Sequence, residues 1–151
     1  MRALIQRILN SEVRIDGKIH SETAAGLLIF LGISPRDTES QAGYLARKIT
    51  ALRVFEDAKG KMNLSVTDAE GEIMVVSQFT LYADTAKGNR PSFTSAADPV
   101  HAEKIYHYFI RQIANNFSGR VASGVFGADM KVSLVNDGPV TIFIDTDSTG
   151  D

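Results

Sequence analysis

Asn136-Asp137-Gly138-Pro139-Val140-Thr141 lies between two runs with strand character, 131–135 and 140–144. Proline has no N–H, so strands carry it only at edges, bulges or ends. Two readings of the stretch follow. Asn-Asp-Gly-Pro is ordinary turn chemistry, which would make the two runs the arms of a hairpin. The other reading is a shaped backbone feature, with a cis peptide among the options that an X-Pro bond opens.

Working outward, the 151 residues suit one domain with room for a real core. Hydrophobic residues make up 44% and charged residues 23%, which is ordinary globular usage. The net charge of −2 argues against a dedicated nucleic-acid coat, though it leaves room for a local basic patch. The chain has no cysteine, which removes disulfides, thiolate metal sites and a cysteine nucleophile. The apolar run 27–31 is far shorter than the ~20 residues needed to span a bilayer. Met1-Arg2-Ala3 leads straight into a strand pattern without signal-peptide architecture. The expectation is a soluble, cytoplasmic protein.

Residues 2–9 and 11–15 alternate as strands, with Arg7 interrupting the apolar side of the first. Asp16-Gly17 has the type I′ hairpin signature and turns the chain into 18–21. Residues 26–33 form a nearly unbroken apolar strand, buried on both faces. After Ser34-Pro35-Arg36-Asp37, a helix is expected over 38–52, capped by Asp37 or Thr38, with Ala42, Leu45, Ala46, Ile49 and Leu52 as its stripe. Residues 53–55 and 62–66 are short or irregular extended pieces, and 72–81 is the second buried strand. Residues 83–97 make a long polar loop, a length that is often functional. Asp98 and Pro99 open a second helix, with Ala102, Ile105, Phe109 and Ile113 inward. Strands at 120–123, 130–135 and 140–145 close the fold, and 146–151 is a polar tail expected to fray. So many strands with two helices imply sheet on sheet, with the helices outside one face.

The chemistry is harder to read. The three histidines are His20, His101 and His107, and the last two, six apart on a helix, do not share a face. No metal site and no cofactor are expected. No Walker loop and no G-x-G-x-x-G after a strand is present. Ser77 and Thr80 end a buried strand but have no base close in sequence, and Gln78 offers a side-chain amide. Lys87 and Arg90 in the long loop can pair phosphates, although a solvated loop is the commoner role for such residues. Phe126 and Met130 suit a stacked base or the core. The residues alone name no reaction.

Two motifs do. Ser77-Gln78-Phe79-Thr80-Leu81-Tyr82-Ala83 and Asn136-Asp137-Gly138-Pro139-Val140-Thr141 resemble the two signature motifs of D-aminoacyl-tRNA deacylases, without departure in either. The resemblance extends through Met1-Arg2-Ala3-Leu4-Ile5-Gln6-Arg7, Arg90-Pro91-Ser92-Phe93 and Gly127-Ala128-Asp129-Met130. It implies a single deacylase domain over 1–145, with a layered α/β/β, barrel-like fold of mixed sheets and two main helices on one side. It further implies a homodimer that hydrolyses the ester between a D-amino acid and the 3′-terminal ribose of tRNA.

In this family the Gly-Pro peptide is cis and reaches into the partner's active site, a role that falls here to Gly138 and Pro139. Ser77, Gln78, Phe79 and Thr80 would line the same pocket. Lys87, Arg90, Phe126 and Met130 are the candidates for holding the tRNA end. Carbonyls aligned as a rigid rim exclude an L side chain and leave a D side chain free, which is specificity by repulsion. Glycyl-tRNA would enter as well. The ribose 2′-hydroxyl is implied to help activate water, with backbone N–H groups around Gln78 and Phe79 for the oxyanion. A relative with a trans Gly-Pro bond that edits L-amino acids, and a non-catalytic nucleic-acid-binding module, remain the alternatives.

Overall fold

The structure is a computed structural model and describes residues 1–147. The strands are β1 (Arg2–Ile15), β2 (Lys18–Thr23), β3 (Gly26–Gly32), β4 (Phe55–Glu56), β5 (Met62–Leu64), β6 (Glu72–Ser77), β7 (Val121–Ser123) and β8 (Lys131–Asp145). The helices are α1 (Glu39–Thr50) and α2 (Pro99–Asn116), with a 3-10 turn at Phe79–Tyr82. Asp16 and Gly17 both have positive φ, as the type I′ hairpin between β1 and β2 requires. Thr38 caps α1 through a capping box with Gln41, and Asp98 caps α2 ahead of Pro99.

One mixed sheet runs β2-β1-β3-β6-β7, with β8 along the other edge of β1; β4 and β5 form a separate ribbon. The β3–β6 and β6–β7 pairs are parallel, and the rest are antiparallel. The sheet curls into a nearly closed barrel with two cores. Leu27, Ile29 and Leu31 of β3, with Ile73 and Val75 of β6, pack against both helices. The alternate residues Leu28, Met74 and Val76 pack instead with Ile8 and Val13, flanked by Val132 and Leu134. This is the α/β/β layering, with both helices on one side. Ser21 of β2 donates to the Ser123 carbonyl at 2.9 Å, drawing the barrel edges together.

Three expectations need correction. The segments 2–9 and 11–15 are one strand, because both halves pair with β8 along one edge. The stretch 131–145 is likewise one strand and not a hairpin. Its partner β1 stays antiparallel on both sides of Gly138-Pro139, so the chain never reverses. Finally, β6 stops at Ser77, where β3 ends its pairing at Leu31 and no ladder partner remains for 78–81. Those residues close a 3-10 turn instead.

The tail was expected to fray from residue 146. Thr146 donates its N–H to the Met1 carbonyl at 2.9 Å, and Asp147 accepts from Arg36 at 3.2 Å, so both are held. Residues 148–151 lie outside the described residues.

Gly26 starts β3 against Glu72 of β6, and a Cβ there would stand 1.9 Å from the Glu72 carbonyl oxygen. Backbone cannot yield as a flexible side chain does. Gly26→Ala is expected to lower stability by about 3 kcal/mol, read as a lower urea midpoint at unchanged slope.

Candidate active site

The end of β6, the start of α2 and the segment between β7 and β8 enclose a cavity of about 610 Å³. Its walls are mostly apolar: Leu31, Ile33 and Val76 at the base, Phe79 and Phe93 on one side, Phe126 and Met130 on another. Ser77, Gln78 and Asp129 bring polar groups to it, the exposed Asp129 carboxylate pairing with Lys131 at 2.9 Å. The Phe79 and Phe93 rings meet edge to face, 5.1 Å between centroids. Tyr106, fully buried on α2, stands behind Phe126 at 5.8 Å and donates its hydroxyl to the Val75 carbonyl at 2.9 Å. Burial pushes that phenol well above its ordinary pKa, so it serves as a neutral donor.

The 3-10 turn is fixed from several sides. The Gln78 N–H donates to the Leu31 carbonyl at 2.7 Å. Arg2 donates to the Leu81 carbonyl at 2.9 Å and lays its guanidinium 4.4 Å over the Tyr82 ring. Gly32 lets the turn lie close to β3, since a Cβ there would be 3.1 Å from Leu81 Cβ and 3.2 Å from the Gln78 carbonyl. The Gln78 side-chain amide donates to the Thr80 hydroxyl oxygen. An amide cannot take a proton, so this partner orients Thr80 without activating it. Among the described residues, no His, Asp or Glu is hydrogen-bonded to Ser77 or Thr80.

This geometry corrects one expectation. The Gln78 N–H is engaged by the sheet and is no donor for an oxyanion. Phe79 opens the 3-10 turn, so its N–H has no partner within the turn.

Ser77, Gln78, Phe79, Phe126 and Met130 thus share one cavity, and Thr80 joins them through Gln78. Lys87 and Arg90 are exposed on the long loop and do not line it. Gly138 and Pro139 do not line the cavity of their own chain either. Their peptide bond is cis. They sit in a bulge of β8, where Gln6 and Ile8 of β1 face Thr141 and Asn136. The Asn136 amide spans the bulge, donating to the Arg7 carbonyl at 2.9 Å and the Val140 carbonyl at 3.0 Å. Arg7 lies buried beneath it, 6% exposed. It donates to the Val54 carbonyl at 2.7 Å and pairs with the Asp137 carboxylate at 3.0 Å.

A family model described as D-Tyr-tRNA(Tyr) deacylase matches residues 4–145. The chain belongs to the D-Tyr-tRNA(Tyr) deacylase family. Two relatives carry the name D-aminoacyl-tRNA deacylase. The one from Thermosipho melanesiensis is 50% identical over 97% of both chains. The one from Akkermansia muciniphila is 53% identical over the same share. A solved structure described as c-Myc DNA unwinding element binding protein aligns with a TM-score of 0.92 at 40% identity, over 97% of this chain and 99% of that one. A probable eukaryotic D-amino acid tRNA deacylase aligns at 0.81 and 16% identity, over 95% and 97%, a likeness of fold.

Within this deacylase-family fold, two residues near the motifs carry no role in the sequence analysis: Phe93, which lines the cavity, and Arg7, which lies under the Gly-Pro bulge. Phe93 is the single aromatic in a polar loop, a visible signal. Arg7 on an otherwise apolar strand face was another, because a buried charge demands partners.

Asn136→Ala would leave the Arg7 and Val140 carbonyls without their common donor. A loss of about 1–3 kcal/mol is expected. Faster amide hydrogen exchange confined to the bulge and to β1 opposite it would accompany the loss.

Proposed function

We propose that this chain is a D-aminoacyl-tRNA deacylase: an aminoacyl-tRNA ester hydrolase, acting as a single domain over residues 1–145. Family membership supports the reaction. The observation that carries the site is the cavity uniting Ser77, Gln78, Phe79, Phe126 and Met130, with Thr80 at its edge. Water adds to the ester carbonyl, the bond to the ribose 3′-oxygen breaks, and free amino acid and tRNA leave. The Phe79 N–H supports the developing oxyanion. The 2′-hydroxyl of the terminal ribose helps activate the water; among the described residues the cavity's carboxylate, Asp129, is exposed and paired with Lys131, and no base is bonded to Ser77 or Thr80. Phe126 and Met130 hold the terminal nucleotide, and Lys87 and Arg90 meet phosphates of the acceptor end.

The active form is proposed as a homodimer. Leu9, Val135 and Phe143 of the paired strands β1 and β8 are about half exposed, at 53%, 46% and 52%. A second copy would cover them and bring its Gly138-Pro139 to the cavity. There the motif excludes L side chains, while glycyl-tRNA is accepted. Among the described residues no helix is long and apolar enough to cross a membrane; the proposed compartment is the cytoplasm, where charged tRNA is found.

The deciding experiment is deacylation of D-tyrosyl-tRNA and L-tyrosyl-tRNA by the pure protein, with chelator present. Rapid loss of the D ester alone is expected. Loss of the L ester would point to an editor of L-amino acids, and loss of neither to a binding module. Thr80→Ala is expected to fold, bind tRNA and keep measurable turnover, down by roughly tenfold at most. Complete loss of turnover in a folded, tRNA-binding variant would make Thr80 the nucleophile.

A further inference from the structure

Gly124 is buried just after β7, with its N–H donating to the Val75 carbonyl at 2.9 Å. The Tyr106 hydroxyl lies 3.5 Å from the Gly124 carbonyl. A Cβ on Gly124 would stand 2.4 Å from Met130 Sδ and 3.5 Å from Met130 Cε. The next atom, Val76 Cγ2, is 3.8 Å away, an ordinary contact. Gly124 is not among the glycines with positive φ, so its backbone accepts an L residue. What the missing side chain provides here is space, and one thioether fills it.

Met130 stands where the second core meets the cavity: it packs with the cluster of Ile8, Val13, Leu28, Met74 and Val76, and it also lines the site. An unbranched thioether is the least self-ordering of apolar side chains and takes its shape from its surroundings. We infer that Gly124 is a positioning residue for this site: the space above its Cα seats the Met130 sulfur, and this fixes Met130 as a wall of the cavity. An alanine would push the sulfur out of its seat and narrow the space for the substrate's terminal nucleotide. The inference rests on the deacylase reading for its substrate, though not for the contact itself.

The test is a double-mutant cycle of Gly124→Ala and Met130→Ala, read by kcat and KM on D-tyrosyl-tRNA and by unfolding. Methyl NMR of methionine-labelled protein accompanies it. Gly124→Ala is expected to lower kcat/KM by roughly tenfold, mostly through KM, and to shift the Met130 methyl resonance. Met130→Ala impairs the enzyme by itself, but adding Gly124→Ala to it should change kcat/KM by less than about twofold. Unchanged kcat/KM in Gly124→Ala, or the same penalty in the Met130→Ala background, overturns the inference. Should Gly124→Ala fail to fold, recovery of folding in the double variant upholds the contact, and failure of both overturns it. An inactive wild type would sink the deacylase reading alone. The methyl resonance then decides the contact, and an unmoved signal refutes it.

Discussion

Everything in this fold depends on β1 and β8 crossing together from one layer to the other. Side chains alternate along a strand, so a strand changing layers must reset which set faces the core. On β1, Ala3 and Ile5 face the helices, and Ile8 faces the second core. Beyond the crossing it is Val13, of the opposite parity to Ile8, that faces the second core. Extra residues achieve this reset: β1 has a register shift between Ile8 and Asn10, and β8 loops out between Asn136 and Thr141. The Gly-Pro motif is that looped-out segment. It carries no ladder duty, which is why a proline is tolerated in the middle of a fifteen-residue strand.

The same crossing explains Arg7. Its side chain follows Ala3 and Ile5 toward the helix side, at the point where the bulge leaves polar backbone with no ladder partner. A guanidinium reaches both the Val54 carbonyl and Asp137, which no aliphatic side chain could do. With Asn136 bridging the Arg7 and Val140 carbonyls, buried polar groups around the bulge are tied to one another. Gly138 closes the set, because its φ of +115° lies in the region L residues avoid. A Cβ there would also stand 2.8 Å from Arg7 Nη2.

Local chemistry was legible wherever it acts within a few residues. Asp16-Gly17, Asp98-Pro99 and a cap at Asp37 or Thr38 each specify their element by bonds to their own neighbourhood; the structure has the first two and settles the third on Thr38, with Gln41 as a partner the sequence reading had not named. Ambiguity began where a partner strand decides. Residues 78–81 carry strand-forming side chains, yet they turn because β3 has nothing left to pair with them. Residues 131–145 contain turn chemistry, yet they run on because β1 accompanies them throughout. The candidate site followed the same division. The polar residues from Ser77 to Thr80 were visible as a cluster in sequence, and both motifs were recognisable from the resemblance. Gly124 was not visible, because its meaning lies in the distance to one sulfur six residues further on and across a turn.

The site's chemistry follows from what its polar groups are bonded to. A side-chain nucleophile needs a base, and the Thr80 hydroxyl has an amide as its neighbour. Backbone donors need to be free, and the Gln78 N–H is spent on holding β6 to β3. The Phe79 N–H remains, on a turn that Arg2, Gly32 and the last β3–β6 bond keep from moving. A preorganised N–H beside an apolar, shaped cavity can bind an ester carbonyl and favour its oxyanion, because it does not have to reorganise as charge develops. It cannot move a proton. A substrate whose own hydroxyl stands beside the scissile ester supplies that missing function. An aminoacylated terminal ribose is such a substrate, and the one carboxylate lining the cavity among the described residues, Asp129, is exposed and held by Lys131 rather than by Ser77 or Thr80.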